Sequence, residues 1–398
     1  MLIRNCSFVV TQNPQRQLLE GTDILIKGGV IAEVGKNLPL KGEEVLDAQG
    51  KIILPGLINA HTHLGMGSLR GLFDEQELDG WISRVKNAEE ALTPRQVYQN
   101  VLNGCKEAIR FGTTTIYDSY RFFPQQCIKA LNVSSIRAFY SAGKHNNEIL
   151  KFVKGVNITP VLSAHSIHVH KQRSDDEKLL KEIQALSLKH KLLKRIHIGE
   201  TRLERYQILK ETGKLPIEYL DSIGFLDDRT LLVHCIWLTK GEIRLIAKRK
   251  AKVIHCPISN MKLASGGVMP LLEMWQEGVT VGLGTDSVVS NNNLDLFEEM
   301  KVCALLHRQH RWDPKAVPAQ KVLDMVTIEN AKCLSIDQEV GSIEPGKKAD
   351  LILLNIGLHM RPCTKKNIVS NLVYAAQGGD VSDVIVDGKL VLKDQRFV

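Results

Sequence analysis

The chain has 398 residues, of which 43% are hydrophobic and 24% are charged. This composition is typical of a globular protein and excludes a disordered chain, and the length suffices for one large domain with an appendage. The formal net charge is +8, but basic runs such as Lys248-Arg249-Lys250 lie in helix-like stretches without a base-reading motif, so we expect solvated helix faces and no nucleic-acid partner.

Targeting signals and the spacing of cysteines indicate in which cellular compartment a protein is found. No signal-peptide pattern follows Met1, and no apolar run approaches the roughly 20 residues of a membrane span. Eight cysteines are scattered without paired spacing, which favours reduced thiols over a disulfide framework. We therefore expect a cytoplasmic protein with no membrane association.

The amino-terminal segment predicts a small all-β unit. Turn residues such as Gly28-Gly29 separate four short alternating stretches, which are Ser7–Thr11, Asp23–Lys27, Val30–Val34 and Glu44–Asp47.

The centre of the chain predicts alternating strands and helices. Thr93-Pro94-Arg95-Gln96 offers an N-cap, a first-turn proline and a capping-box glutamine, so a helix is expected from there to Gly112. About eight short apolar strands are separated by helix-length sequence, which is the number that a closed parallel barrel requires. They are Leu57–Ala60, Thr114–Tyr117, Ile136–Tyr140, Thr159–Ala164, Arg195–Ile198, Leu231–Val233, Val253–His255 and Thr280–Leu283. A doubly wound sheet is the alternative, but the glycine-rich phosphate turn that it needs after the first strand is missing.

The carboxyl-terminal segment returns to strand-like sequence at Asp350–Leu354, Asn371–Ala376 and 384–391, the last with an Asp387-Gly388 hairpin signal. Neither end alone has enough strands for a stable sheet. We therefore predict an α/β protein: a (β/α)₈ TIM barrel over 56–345, with a small β-sandwich domain built from 1–55 and 346–398.

Polar residues stand at the carboxyl ends of the predicted strands, where barrel enzymes place their active sites. His61 and His63 are two residues apart in extended chain, so both imidazoles point to one face. His197, with Glu200 three residues later, His234 and Asp286 end three further strands. Each has a structural alternative as a core histidine, a helix-capping carboxylate or a turn aspartate. Together, three histidines and one aspartate suit zinc.

Several motifs resemble the amidohydrolase superfamily. Leu54-Pro55-Gly56-Leu57-Ile58-Asn59-Ala60-His61-Thr62-His63 is similar to its opening signature, and Gly346-Lys347-Lys348-Ala349-Asp350-Leu351 to its closing one. A further set of motifs resembles the branch of this superfamily that acts on aromatic heterocycles. Within that branch, the motifs are most similar to the methylthioadenosine/S-adenosylhomocysteine deaminases. These are His197-Ile198-Gly199-Glu200-Thr201, His234-Cys235, His255-Cys256-Pro257-Ile258-Ser259-Asn260, Gly284-Thr285-Asp286-Ser287 and Ser290-Asn291-Asn292.

This resemblance implies roles for individual residues. It implies one divalent metal ion, Zn²⁺ with Fe²⁺ as the alternative, held by His61, His63, His197 and Asp286. It implies catalytic roles for Glu200 as the proton shuttle, His234 beside the attacking water, and Asp286 as a proton acceptor. Substrate contacts are implied for Glu200, His165, Trp81 and Glu90, the last toward ribose hydroxyls. A solvated helix-surface pair, Glu89-Glu90, is the alternative interpretation there.

The implied activity is hydrolytic deamination of an adenine nucleoside such as 5′-methylthioadenosine, S-adenosylhomocysteine or adenosine, in a homo-oligomer. The alternatives are a guanine deaminase, an s-triazine aminohydrolase or chlorohydrolase, and a non-catalytic barrel scaffold. One departure concerns the substrate tail: Ser141-Ala142-Gly143-Lys144 stands where the resemblance implies an arginine. Without it, the amino-acid tail of S-adenosylhomocysteine has no evident partner for its carboxylate unless Lys144 or Arg137 supplies one.

Overall fold

The computed structural model describes residues 1–75, 78–153, 157–167 and 173–398, with only the backbone for 78–83, 144 and 173–175. The strands are β1 (Leu2–Val10), β2 (Leu18–Lys27), β3 (Val30–Gly35), β4 (Val45–Asp47), β5 (Lys51–Pro55), β6 (Leu57–Thr62), β7 (Thr113–Asp118), β8 (Arg137–Tyr140), β9 (Ile158–Pro160), β10 (Leu162–Ser163), β11 (Lys194–Ile198), β12 (Thr230–His234), β13 (Lys252–His255), β14 (Val281–Leu283), β15 (Leu351–Asn355), β16 (Val381–Val386), β17 (Lys389–Lys393) and β18 (Arg396–Phe397).

The helices are α1 (Leu78–Glu90), α2 (Pro94–Arg110), α3 (Pro124–Val133), α4 (Ile149–Phe152), α5 (Arg173–His190), α6 (Arg202–Thr212), α7 (Pro216–Ser222), α8 (Lys240–Arg249), α9 (Pro257–Lys262), α10 (Leu271–Gln276), α11 (Leu296–Arg311), α12 (Ala319–Met325), α13 (Ile328–Cys333) and α14 (Ile368–Tyr374). Short 3₁₀ helices cover Leu64–Leu69, Gly143–His145, Leu358–Met360 and Gly378–Asp380.

Both ends of the chain contribute to one mixed sheet. Its strand order is β18-β17-β16-β15-β5-β1-β2-β3, with β4 paired to β1. The strand β5, which the sequence analysis did not predict, joins the two ends, because it pairs in parallel with β1 and antiparallel with β15. One face of this sheet covers its own apolar core, which includes Ile24, Ile53 and Leu351.

The central strands form two parallel sheets, ordered β6-β7-β8-β9 and β10-β11-β12-β13-β14. Each of the eight predicted segments coincides with a strand, the fourth being divided at Val161 into β9 and β10. The outer strands of the two sheets, β6 and β14, are also linked: the backbone amide of Asp286, beyond β14, donates to the carbonyl of His61 in β6 at 3.0 Å. This bond brings the first and last central strands together at their carboxyl ends.

The helix predicted after Thr93 is confirmed. Thr93 caps α2, and both arms of the capping box with Gln96 are present. Val97, Val101, Cys105 and Ala108 are buried at helical spacing, so the apolar face of α2 covers the central sheets.

The strand predicted at Asn371–Ala376 is wrong. This segment belongs to α14, whose buried residues Ile368, Leu372 and Val373 recur at helical and not at alternating spacing. The helix packs against α11 and α12. Among the described residues, no helix combines the length and the apolar composition that crossing a bilayer requires.

Candidate active site and metal centre

Four strand ends deliver the central polar residues. His61 lies near the end of β6 and His63 just beyond it, His197 lies in β11, His234 ends β12, and Asp286 follows β14. Parallel strands end at the same edge of a sheet, so side chains far apart in sequence meet there. The structure brings all five side chains together.

The donor atoms of this group converge closely. Nε2 of His197 lies 3.0 Å from Nε2 of His61. Oδ1 of Asp286 lies 3.5 Å from Nε2 of His61 and 3.4 Å from Nε2 of His63. Donors at about 2.0–2.1 Å around a tetrahedral ion stand roughly 3.3 Å from one another. The spacing of these atoms therefore fits a single small cation.

Neighbouring groups fix the orientation of the donors. Oδ2 of Asp286 accepts hydrogen bonds from Ser259 Oγ at 2.7 Å and from Ser290 Oγ at 3.3 Å, which leaves Oδ1 turned toward the imidazoles. Nδ1 of His197 donates to the carbonyl of His165 at 2.7 Å, so its Nε2 is free to bind a cation. Such second contacts are usual around metal ligands because they select the tautomer and the ring orientation.

Burial sets the protonation states. Desolvation lowers the pKa of His61 to about 4 and holds the pKa values of His63 and His197 well below the ordinary value. Burial would raise the pKa of Asp286, but its hydrogen bond to His61 and the nearby imidazoles hold that pKa well below its usual range. Neutral imidazoles and an ionised carboxylate are the forms that bind a metal ion.

Glu200 and His234 form a second functional pair beside the donor cluster. Oε2 of Glu200 lies 3.5 Å from Nε2 of His234. Nδ1 of His234 accepts from the Asn260 amide at 3.0 Å, so in the neutral ring the proton is on Nε2, facing the carboxyl group. Burial raises the pKa of Glu200, with a smaller opposing effect of His234. A carboxyl group with a raised pKa is suited to exchange protons near neutral pH.

The backbone is held in uncommon conformations at the same strand ends. His234 has φ of 75° and Asp286 has φ of 61°, a left-handed region that non-glycine residues enter at an energetic cost and mainly at functional sites. Gly284 lies between β14 and β6, and a Cβ added to it would come within 2.9 Å of the backbone nitrogen of His61. The close approach of the two strands, which aligns Asp286 with His61, therefore requires glycine at 284.

A cavity opens over these residues. His63, His197, Glu200, His234 and Asp286 lie at its inner end. Its lining also includes Met66, Glu89, Tyr120, Arg121, His165 and Leu263. His165 is exposed, and its ring centroid lies 5.0 Å from that of His197.

The structure places Glu89, and not Glu90, in the wall of the cavity. Glu90 does not line the cavity: its carboxylate is about half exposed and pairs with Lys86 one turn earlier, at 3.9 Å. Glu89 does line it, is 4% exposed, and accepts from Arg121 at 3.3 Å. Burial raises the pKa of Glu89 to about 7, although Arg121 opposes the shift.

Arg137 and Lys144 are the two residues that the sequence analysis considered as partners of the substrate tail. Arg137 points away from the cavity and binds Asp350 and Asp387 of the mixed-sheet strands and turns. The side chains of Trp81 and Lys144 lie outside the described residues. Arg121, at the carboxyl end of β7, supplies a cation that the sequence analysis placed elsewhere.

Sequence reasoning also missed Arg195. This residue is 2% exposed, and its Nη1 lies 3.0 Å from Nδ1 and 3.3 Å from Nε2 of His197, which places a buried positive charge against the ring. The signal was present in the sequence, since residues 195 and 197 of a strand point to the same face. Ser259 and Asn260 lie within a quoted motif, but their partners depend on the tertiary structure.

Comparisons with known proteins identify the family of the chain. Residues 52–391 match the amidohydrolase family. The chain is 39% identical to the 5′-deoxyadenosine deaminase of Methanothermobacter thermautotrophicus, over 95% of this chain and 93% of the relative. It is 38% identical to the 5-methylthioadenosine/S-adenosylhomocysteine deaminase of Thermococcus onnurineus, over 100% and 95%. The crystal structure of a zinc-containing adenosine deaminase from Xanthomonas campestris superposes with a TM-score of 0.93 at 28% identity, covering 100% of this chain and 94% of that one.

Proposed function

The chain belongs to the amidohydrolase family, and on that basis we propose that it is a zinc-dependent deaminase that converts the amino group of an adenine nucleoside to ammonia. The enzyme is a metal-dependent aminohydrolase of this family, and relatives that align with it over most of its length are named as deaminases. One observation carries the proposal: a donor cluster that fits a cation and a proton-exchanging Glu200–His234 pair face the same cavity.

We propose His61, His63, His197 and Asp286 as the ligands of the divalent ion. Their donor spacing, the neutral state of the imidazoles and the hydrogen bonds that orient Asp286 and His197 support this set. Nitrogen and carboxylate oxygen donors without a thiolate suit Zn²⁺, and Fe²⁺ remains the alternative ion. When bound, such an ion supplies Lewis-acid activation of water at neutral pH.

The residues around this ion divide the proton transfers of the reaction. Asp286 accepts a proton from the attacking water through its ionised carboxylate. Glu200, whose pKa is raised by burial, donates a proton to the ring nitrogen next to the carbon under attack, so that negative charge does not accumulate on the heterocycle. His234, held by Asn260, hydrogen-bonds the water through Nε2 and orients it. Asp286 returns its proton to the amino group, and the Glu200 carboxylate takes the proton of the newly added hydroxyl. The carbon–nitrogen bond then breaks, which releases ammonia, leaves a ring carbonyl and restores both carboxyl groups to their starting states.

We propose that Glu89, and not Glu90, accepts hydrogen bonds from the ribose hydroxyls. Its burial, its place in the cavity wall and its pairing with Arg121 support the choice. His165 contacts the base or the sugar from the opposite wall. Arg121 is then the cation nearest to the 5′ tail, where it would pair with the carboxylate of S-adenosylhomocysteine. The role of Trp81 in substrate binding stays a prediction.

We further propose that the two parallel sheets form one closed (β/α)₈ barrel over residues 56–345. The continuity of β9 with β10 through Val161 and the bond from Asp286 to His61 support closure. The mixed sheet of 1–55 and 346–398 would then form the small sandwich domain. A homo-oligomer is part of the same proposal, because barrel enzymes of this kind often associate.

A substrate panel tests the function. Purified protein loaded with Zn²⁺ is mixed with 5′-deoxyadenosine, methylthioadenosine, S-adenosylhomocysteine, adenosine, guanine and an s-triazine, and ammonia release is measured together with ultraviolet absorbance. Ammonia released from one or more adenine nucleosides, and little from guanine or the triazine, is expected. Preference for guanine or the triazine would replace the proposed substrate class. No release from any of them would favour the scaffold alternative.

A further inference from the structure

A second group of metal-ligating side chains lies outside the candidate active site. His255 ends β13, and Cys303 and His307 lie one turn apart on α11. One potential ligand atom from each residue lies within 4.8 Å of those from the other two, and all three residues are buried. The group contains a thiol, whereas the proposed active-site ligands do not.

The spacing of the two imidazoles matches that of the first site. Nε2 of His307 lies 3.2 Å from Nε2 of His255, compared with 3.0 Å between His197 and His61. Two nitrogen donors of one tetrahedral ion stand roughly 3.3 Å apart. Cys303 lies on the same face of α11 as His307 because residues four apart on a helix are neighbours.

A direct hydrogen bond between the two rings is the structural alternative, and it leaves the cluster poorly satisfied. In such a pair one Nε2 donates to the other, so the accepting ring carries its own proton on Nδ1. Neither Nδ1 has a hydrogen-bond partner among the residues that the structure describes. A buried polar group without a partner destabilises the fold, so the pair by itself does not account for two histidines at this position.

A further buried acceptor stands next to the cluster. Glu299 is one turn before Cys303 on α11, and it is fully buried. Its Oε1 accepts from Asn291, while Oε2 has no partner among the described atoms. The polar stripe of Glu299, Cys303 and His307 faces inward on a helix whose other inward residues, such as Met300, are apolar.

We propose that His255, Cys303 and His307 form a second, structural metal site that binds Zn²⁺. Glu299, one turn before Cys303, lies outside the group of atoms within 4.8 Å of one another and would become the fourth ligand only by a change of rotamer. Imidazole nitrogen and thiolate sulfur are donors that structural zinc sites use. The ion would connect the end of β13 to α11. Because Asn260 of the following helix α9 holds His234, this connection would stabilise the wall behind the active site without touching substrate.

Cobalt substitution tests the proposal, since Co²⁺ bound to a thiolate gives a near-ultraviolet charge-transfer band that Co²⁺ bound only to nitrogen and oxygen lacks. The full-length protein is stripped with a chelator and titrated with Co²⁺, and bound metal is counted. We expect two equivalents and the thiolate band in the unaltered protein. Cys303→Ser should lose the band and one equivalent, and His63→Ala should lose one equivalent and keep the band.

The matched control is Cys333→Ser, which alters a buried cysteine on α13 outside the cluster and should keep both equivalents and the band. Binding of one equivalent without a thiolate band by the unaltered protein would overturn the proposal, and this measurement decides even if Cys303→Ser does not fold. A thiolate band that persists in folded Cys303→Ser would overturn it as well.

Discussion

Nε2 of His234 lies 3.5 Å from Oε2 of Glu200, at the inner end of the cavity. The two side chains come from different strand ends, β12 and the turn after β11. Burial raises the pKa of Glu200, while Asn260 fixes the ring of His234 from behind. The pair thus places an exchangeable proton and an oriented imidazole side by side.

Glu200→Gln should lower kcat by about 10²–10⁴-fold, the range that a general acid–base group contributes, because glutamine cannot transfer the proton. Metal content should be unchanged, since Glu200 is outside the proposed ligand set. Steady-state kinetics and metal analysis check both statements. Glu211→Gln on α6, which does not line the cavity, is the control and should keep full activity. An active Glu200→Gln enzyme would remove the shuttle role.

His63→Ala should lose metal as well as activity. Its imidazole is one of three that the structure groups together, and it lies 3.4 Å from Oδ1 of Asp286. A site that has lost one of its four proposed ligands binds a cation less tightly. Metal content after dialysis against a weak chelator measures the effect. His359→Ala alters an exposed histidine paired with Asp380 and should bind metal normally. Full retention of active-site metal in His63→Ala would exclude this histidine from the ligand set.

Glu89→Gln should weaken nucleoside binding, whereas Glu90→Gln should not. Only Glu89 lines the cavity, and an amide replaces a charged acceptor by a weaker one. We expect KM for adenosine to rise about tenfold or more in Glu89→Gln, with little change for a substrate that lacks the 2′- and 3′-hydroxyls. Equal effects of the two variants would contradict the shift from Glu90 to Glu89.

Glu89→Gln should also stabilise the folded state above neutral pH. The pKa of Glu89 is about 7 in the folded chain against an ordinary value of 4.5, so between these values the folded state binds more protons than the unfolded state. The stability of the unaltered protein therefore falls as pH rises from 4.5 toward 7, by up to about 3 kcal/mol. Urea unfolding at pH 5 and pH 8 should show a smaller decrease for Glu89→Gln than for Glu90→Gln. Parallel pH profiles would argue against a raised pKa at Glu89.

Arg121→Gln should change the preference among 5′ tails. Loss of a charge-assisted contact with the carboxylate is worth about 1.5–3 kcal/mol, so kcat/KM for S-adenosylhomocysteine relative to 5′-deoxyadenosine should fall about 10–100-fold. Any effect of the substitution that acts through Glu89 changes kcat/KM for both substrates alike and therefore cancels in this ratio. Lys129→Gln, which removes an exposed charge on α3, is the control. An unchanged ratio would show that Arg121 does not bind the carboxylate of the substrate tail.

Much of the fold was accessible from local patterns. The alternation of short apolar strands with helix-length segments located the central strands, and the capping box located α2. The prediction of a strand at 371–376 was wrong because the local sequence Asn371-Leu372-Val373-Tyr374 has strand propensity. The helix is favoured only by its packing against α11 and α12. The strand β5 was overlooked although it is the one that unites both chain ends in a single sheet.

The sequence by itself indicated that His61, His63, His197, His234 and Asp286 stand at the ends of four of the central strands, because strand alternation and parallel order are local and repetitive properties. Only the tertiary structure showed that Glu89, and not Glu90, lines the cavity. Consecutive helical residues point about 100° apart, so the packing of α1 selects the one that reaches the cavity. Distance along the chain likewise hid the contacts of Arg121 with Glu89 and of His255 with His307, which depend on how separate elements pack together.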